Sequence, residues 1–258
     1  MILEVCCGDI ASVHAASAGG AQRVELCSRL DLDGLTPAEE MVREARMVPG
    51  LRLHVLIRSR EGDFVYSREE VEEMARSVQM ARRLGADGVV IGALTPAGDV
   101  DVPAVQRLMS EARGMQVTFH RAFDVCRNPQ EALEQIIALG CHRILTSGQA
   151  PSALEGVPML CKLVKQAAGR IIIMPGAGVN EINAKHILDA TGAREIHGSL
   201  RSPREDGVLV TDSRKVSTIM KKILVCLVAM LAMGSSHASE VSKYMDFLYA
   251  NMALPDST

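Results

Sequence analysis

Thr118-Phe119-His120-Arg121-Ala122-Phe123-Asp124 is a short apolar strand pattern that runs straight into a histidine, an arginine and a carboxylate. Successive side chains of a strand point to opposite faces, so Val117 and Phe119 share one side while Thr118 and His120 share the other. One face is apolar and the other reactive, as expected of a strand that delivers chemistry to its own C-terminal end. A single motif of this kind is equally well a solvated strand end. The reading depends on whether other strands do the same.

Outward from this stretch, short apolar runs alternate with longer amphipathic ones. Strands are predicted at Ile2–Cys7, Gln22–Cys27, Leu51–Arg58, Asp87–Ile91, Met115–Phe119, His142–Thr146, Arg170–Met174 and Glu195–His197. Between them, helices are predicted over Ile10–Ala18, Pro37–Met47, Ser67–Leu84, Val102–Ala112, Pro129–Leu139, Met159–Ala168 and Asn180–Ala190, with a last one from Asp212. Asp9, Thr36 and Asn128 are the N-cap candidates, and Gly19, Gly85 and Gly140 stop helices. Strict βα alternation calls for a parallel sheet covered by helices, and eight repeats match a (β/α)8 TIM barrel, an α/β fold in a single domain. The competing doubly wound sheet would want a GxGxxG after its first strand, where Cys7-Gly8-Asp9-Ile10 stands instead.

The 258 residues are 48% hydrophobic and 23% charged, ample for one large core. A net charge of -3 argues against nucleic acid or an anionic membrane as the partner of the barrel. Seven scattered cysteines without a CxxC pair read as reduced thiols in a cytoplasmic protein. The strand-like start at Ile2 leads to the expectation that no N-terminal signal peptide is present.

Alternation sorts the barrel interior. It assigns Glu4 and Cys6, Arg23, Glu25 and Cys27, His54 and Arg58, Thr118 and His120, and Glu195 and His197 to the polar side of their strands. A purely structural barrel interior would be Val, Ile and Leu, and each unpaired buried polar group costs about 1–3 kcal/mol. The set therefore points to a site at the C-terminal mouth, although Glu4 or Glu25 paired with Arg23 or Arg58 would also serve as internal ion pairs. Gly176 and Gly178 after the seventh strand, and Ser199 after the eighth, lie in the loops that often hold a phosphate or carboxylate; tight turns need the same glycines. Cys6 and Cys27 end neighbouring strands, which lie about 4.8 Å apart, and read either as soft ligands suited to Cu(I) or as two small buried hydrophobes.

Glu4-Val5-Cys6, Gly19 through Cys27, Gly34-Leu35-Thr36-Pro37, Gly62 through Tyr66, Gly85 through Val90, Thr118 through Asp124, Arg143 through Gly148, Met174 through Gly178 and Glu195-Ile196-His197 together resemble the CutC family, named for copper homeostasis. The resemblance runs from Met1 to about Ile219. It implies a cytoplasmic (β/α)8 barrel, often a homodimer, that handles copper, with Cys6 and Cys27 matching the cysteines proposed there as Cu(I) ligands. After His197 the chain departs from many relatives, which have a longer loop and often a cysteine; Gly198 and a short Ser199–Val210 segment follow here.

The alternative to a copper protein is a lyase, isomerase or hydrolase acting on a small anionic or phosphorylated substrate. His120 would then be the acid/base, Glu4 or Glu25 its partner, Arg58 or Arg121 the anion clamp, and Asp124 and His197 further polar groups of the mouth. A role as a scaffold for partners has no feature in its favour. From Met220 the text changes: Met220-Lys221-Lys222, an apolar run Ile223–Met233, then Gly234-Ser235-Ser236-His237-Ala238-Ser239. These are the parts of a secretory signal peptide at the wrong end of the chain. Residues 1–219 are thus expected to form the barrel. Residues 220–258 form an atypical apolar tail, either a run-on into a downstream reading frame or a continuation of the last helix through Val216, Ile219, Ile223 and Leu224.

Overall fold

The computed structural model describes residues 1–203 and 207–233, with only the helical backbone over 225–233. The eight parallel strands are β1 (Ile2–Cys7), β2 (Arg23–Leu26), β3 (Arg52–Leu56), β4 (Gly88–Ile91), β5 (Gln116–Phe119), β6 (Arg143–Thr146), β7 (Ile172–Pro175) and β8 (Glu195–Gly198). Their order in the sheet is β7-β6-β5-β4-β3-β2-β1-β8. The β1–β8 ladder, with Glu4 opposite His197, folds the sheet back on itself. β7 and β8 are the two ends of that order and lie side by side, so the barrel is nearly closed.

The helices are α1 (Ile10–Ala18), α2 (Glu39–Arg46), α3 (Arg68–Arg83), α4 (Val102–Glu111), α5 (Pro129–Ala138), α6 (Val157–Ala167), α7 (Ala184–Thr191) and α8 (Ser213–Met233). Local chemistry starts several of them. Asp9 accepts the Ser12 N–H at 2.7 Å, and Asn128 accepts that of Glu131 ahead of Pro129. Ser67 and Glu70 form a reciprocal capping box on α3.

Two starts differ from the sequence expectation because a side chain is engaged elsewhere. Thr36 does not cap α2. Its hydroxyl accepts the Arg58 N–H at 2.8 Å and donates to the Arg58 carbonyl at 3.0 Å, tying the loop after β2 to the end of β3. The helix begins two residues later, behind Ala38. Asn180 and Asn183 accept one another's backbone N–H groups at 3.1 and 2.9 Å, a local turn that delays α7 to Ala184. A small antiparallel hairpin, β9 (Arg201–Pro203) with β10 (Leu209–Thr211), precedes α8 and was not expected from the sequence.

Outward-facing Leu3, Val5, Leu53, Ile91, Phe119 and Ile196 are buried against the helices and form the main core with them. α8 crosses the boundary expected at residue 219. Val216, Ile219 and Ile223 are buried and Leu224 is exposed, while residues 234–239, the small-residue end of the signal-like segment, lie outside the described residues.

Inside, the strand beginnings carry an ionic plug instead of an aliphatic layer. Arg23 is ion-paired to both Glu4 and Glu195, and Arg143 reaches Glu195 at 3.1 Å, Thr118 at 3.3 Å and Gln116 at 2.8 Å. The carboxylates at Glu4 and Glu195 hold the Arg23 guanidinium firmly charged despite its burial. Such a group is tolerated in the interior because its charges pair with one another, although Arg23 Nη1 and His54 Nδ1 are left without a hydrogen-bond partner.

Candidate functional site

Above the plug, the strand C-termini enclose a cavity of about 370 Å³ lined by Cys6, Glu25, Asp33, Leu56, Arg58, Gly62, Phe64, His120, Arg121, Asp124, Val125, Leu145 and His197. Seven of the expected site residues, Cys6, Glu25, Arg58, His120, Arg121, Asp124 and His197, are brought to this one space.

On one side stand the thiols and the proton-bearing groups. Cys6 and Cys27 have their sulfurs 3.6 Å apart, and one ligand atom each from Cys6, Glu25 and His197 falls within 4.8 Å of the others. Cys27 itself is fully buried behind Cys6 beside Leu56 and Val90. His197 bridges two carboxylates, with Nδ1 2.8 Å from Glu4 and Nε2 3.7 Å from Glu25. Burial opposes its charge, but Glu25, the Cys6 thiol and Glu4 outweigh that and raise its pKa well above the ordinary 6.5. Burial lifts the Glu25 carboxyl above its usual range. Glu4 is driven the other way: burial is overcome by Arg23 first and then by His197 and His54. Glu4 thus belongs to the plug and meets the cavity only through His197. The Cys27 hydrogen bond, with burial behind it, pushes the Cys6 thiol well above 9, so without a metal it carries its proton.

On the other side stand His120 and Arg58. β4 makes room for the ring: a Cβ on Gly92 would lie 2.5 Å from His120 Cε1. His120 Nδ1 accepts the Ala122 N–H at 3.1 Å and so starts the short turn Arg121–Val125, which assigns the ring proton to Nε2. Burial, helped by the charge on Arg58, lowers its pKa to about 3. The ring is therefore a neutral hydrogen-bond donor through Nε2 at neutral pH. Arg58 donates through Nη1 to the Leu32 and Gly34 carbonyls at 2.9 and 3.1 Å, and through Nη2 to that of Gly62 at 2.9 Å. Its guanidinium also lies over the Phe64 ring, 5.1 Å from the centroid.

Arg121 and Asp124 form a rim pair at 2.7 Å. Asp124 is further occupied by the Thr146 hydroxyl and by the N–H groups of Ser147 and Gln149, so it clamps the turn onto the loop after β6. Gly176, Gly178 and Ser199 do not line the cavity. Gly176 lies against Leu145 and His197, Gly178 makes a left-handed turn at φ 66°, and the Ser199 carbonyl accepts the Thr211 hydroxyl at 3.4 Å. Sequence reasoning missed Phe64, Asp33 and Leu145 as cavity residues. Leu145 was accessible by alternation, since it shares the inward side of β6 with Arg143; Phe64 and Asp33 sit in loops without periodicity.

Fold and cavity together define a (β/α)8 barrel with a polar cavity at the C-terminal mouth, where sites of this fold are built. The chain matches the CutC family over residues 1–202 and belongs to it. A CutC family protein of Bacteroides thetaiotaomicron is 54% identical over 199 residues, 77% of this chain and 80% of that protein. The crystal structure of a candidate copper homeostasis protein, CutC from Streptococcus agalactiae, matches with a TM-score of 0.75 at 32% identity, covering 77% of this chain and 98% of that one. Thiamine phosphate pyrophosphorylase from Pyrococcus furiosus matches with a TM-score of 0.59 at 17% identity over 86% of this chain and 95% of its own, a likeness of fold alone.

Proposed function

We propose that the protein binds Cu(I) at the barrel mouth through Cys6 and Cys27, as a cytoplasmic copper homeostasis protein that works as a homodimer. The observation that carries the reading is the 3.6 Å separation of the two sulfurs. Two thiolates on one tetrahedral ion, with metal–sulfur bonds of about 2.3 Å, stand about 3.8 Å apart, so the pair needs little movement to share a metal. Soft thiolates are the donors that select Cu(I), and His197 and Glu25 beside them offer further donors. The dimer is supported by the family resemblance.

Binding requires the thiols to lose their protons, and the raised Cys6 pKa makes that costly at neutral pH. Cu(I) affinity is therefore expected to rise with pH, with protons released on binding. Anaerobic competition against a colorimetric Cu(I) chelator tests both points. The wild type should take one Cu(I) per chain, and Cys6→Ala with Cys27→Ala should abolish it; unchanged affinity in the double variant overturns the site.

A second reading is favoured by the Glu25–His197 pair, two buried groups with raised pKa values on one wall of the cavity. A carboxyl and an imidazolium so arranged suit proton transfer to a small anionic substrate, as a lyase, isomerase or hydrolase requires. His197→Asn that leaves small-molecule turnover unchanged would reject it.

A further inference from the structure

We propose that Arg58 and His120, opposite the thiols, form a subsite for the carboxylate of a small monoanionic compound, with Phe64 as its apolar wall. The inference deepens the small-anion reading by naming the ligand class, and it does not depend on copper.

Three observations carry it. First, both side chains line the cavity, both are 5% exposed, and both hold a buried donor without a partner, Arg58 Nε and His120 Nε2. An unsatisfied buried donor costs about 1–3 kcal/mol, and two on residues that line one cavity are offset where a bound acceptor reaches them. Second, Arg58 has no carboxylate partner among the described residues. The acceptors it bonds at close range are three backbone carbonyls, which fix its plane without neutralising its charge, and the neutral Tyr66 hydroxyl lies near it. Of the five N–H donors of a guanidinium, those three bonds leave Nε–H and one hydrogen on Nη2. Third, Phe64 lies against both groups, its ring centroid 4.9 Å from that of His120 and 5.1 Å from the Arg58 carbon. Its loop is held in turn by the Arg58–Gly62 bond.

Charge selects the ligand. His120 is neutral, Arg121 is paired with Asp124, His197 faces Glu25 and Glu4, and Asp33 stands at the exposed rim. One uncompensated positive charge, on Arg58, is left on this wall. A planar monoanion that accepts from Nε, Nη2 and the imidazole N–H matches it better than a phosphate dianion does.

The test is a titration of the wild-type protein with pyruvate and, separately, with inorganic phosphate. It is followed by calorimetry and by the ¹H–¹⁵N resonances of the His120 ring Nε2–H and the Arg58 Nε–H. Pyruvate should shift both resonances together and saturably, with one site per chain, and should bind more tightly than phosphate. Arg58→Gln should weaken it about tenfold or more. Because Arg58 also holds three loop carbonyls, the wild-type resonances decide the matter if that variant is misfolded. Absence of a saturable shift at millimolar pyruvate, or tighter binding of phosphate, overturns the proposal. Saturable pyruvate binding without turnover of any small carboxylate would sink the catalytic reading while leaving the subsite standing.

Discussion

At the scale of single residues, the cavity depends on side chains that are missing as much as on those present. Gly88 and Gly92 share the inward face of β4, and each faces an imidazole: a Cβ on Gly88 would lie 2.5 Å from His54 Nε2, and one on Gly92 at 2.6 Å from His120 Nδ1. Neither glycine has a positive φ, so space alone is the constraint. Gly88→Ala is expected to destabilise the fold by about 1–3 kcal/mol through overpacking of a ring locked in the plug. Gly92→Ala should cost a similar amount and also displace His120, so carboxylate binding falls with it. Urea unfolding together with the pyruvate titration checks the pair; a Gly92→Ala protein with both properties intact would mean that the ring has room to move. Alternation made Glu25, His120 and His197 legible as inward residues, because side-chain direction is a local property of a strand. Their protonation states were not legible. His120 is neutral because it is buried and Arg58 stands near it, and His197 is charged because Glu25 and Glu4 flank it, and that burial and those neighbours come from distant strands.

At the scale of elements, starts and stops written in local chemistry agreed with the sequence, as at Asp9 and Asn128. The exceptions have separate causes. Thr36 looked like a cap until Arg58 claimed its hydroxyl, and the β9–β10 hairpin consists of strands too short to display alternation. α8 packs on the end of α1 at Gly19, where a Cβ would lie 2.5 Å from Val216 Cβ and 2.7 Å from the Ser213 carbonyl oxygen. Gly19 has φ −77°, a conformation that alanine adopts freely, so Gly19→Ala acts only through that contact. It should force α8 away from the barrel and lower stability by about 1–3 kcal/mol, with amide exchange accelerating in α8 before the strands. Uniform acceleration throughout the barrel would instead mean that α8 and the barrel open as one unit.

At the scale of the whole molecule, the buried imidazoles set a pH optimum for stability. His54 and His120 have folded pKa values of about 3 against an ordinary 6.5, each lowered first by burial. Protonation therefore favours the unfolded chain, and their contribution, complete above 6.5, is lost as pH falls from 6.5 towards 3. Each costs roughly 1.4 kcal/mol per pH unit across that window. Glu25, whose folded pKa is raised, opposes this with at most one proton taken up by the native state, so the two histidines still prevail. His197 works in the other direction. Its raised folded pKa gives stability that is complete below 6.5 and is lost as pH rises through the folded value, with a slope of one proton. Stability should accordingly peak near pH 6.5 and fall on both sides. Urea unfolding across this range would read the curve, and His54→Asn, which removes a plug imidazole that does not line the cavity, should flatten the acid limb by about one proton. A stability that is level from pH 5 to 8, within about 0.5 kcal/mol, would contradict the buried charge arrangement on which both the copper and the carboxylate readings draw.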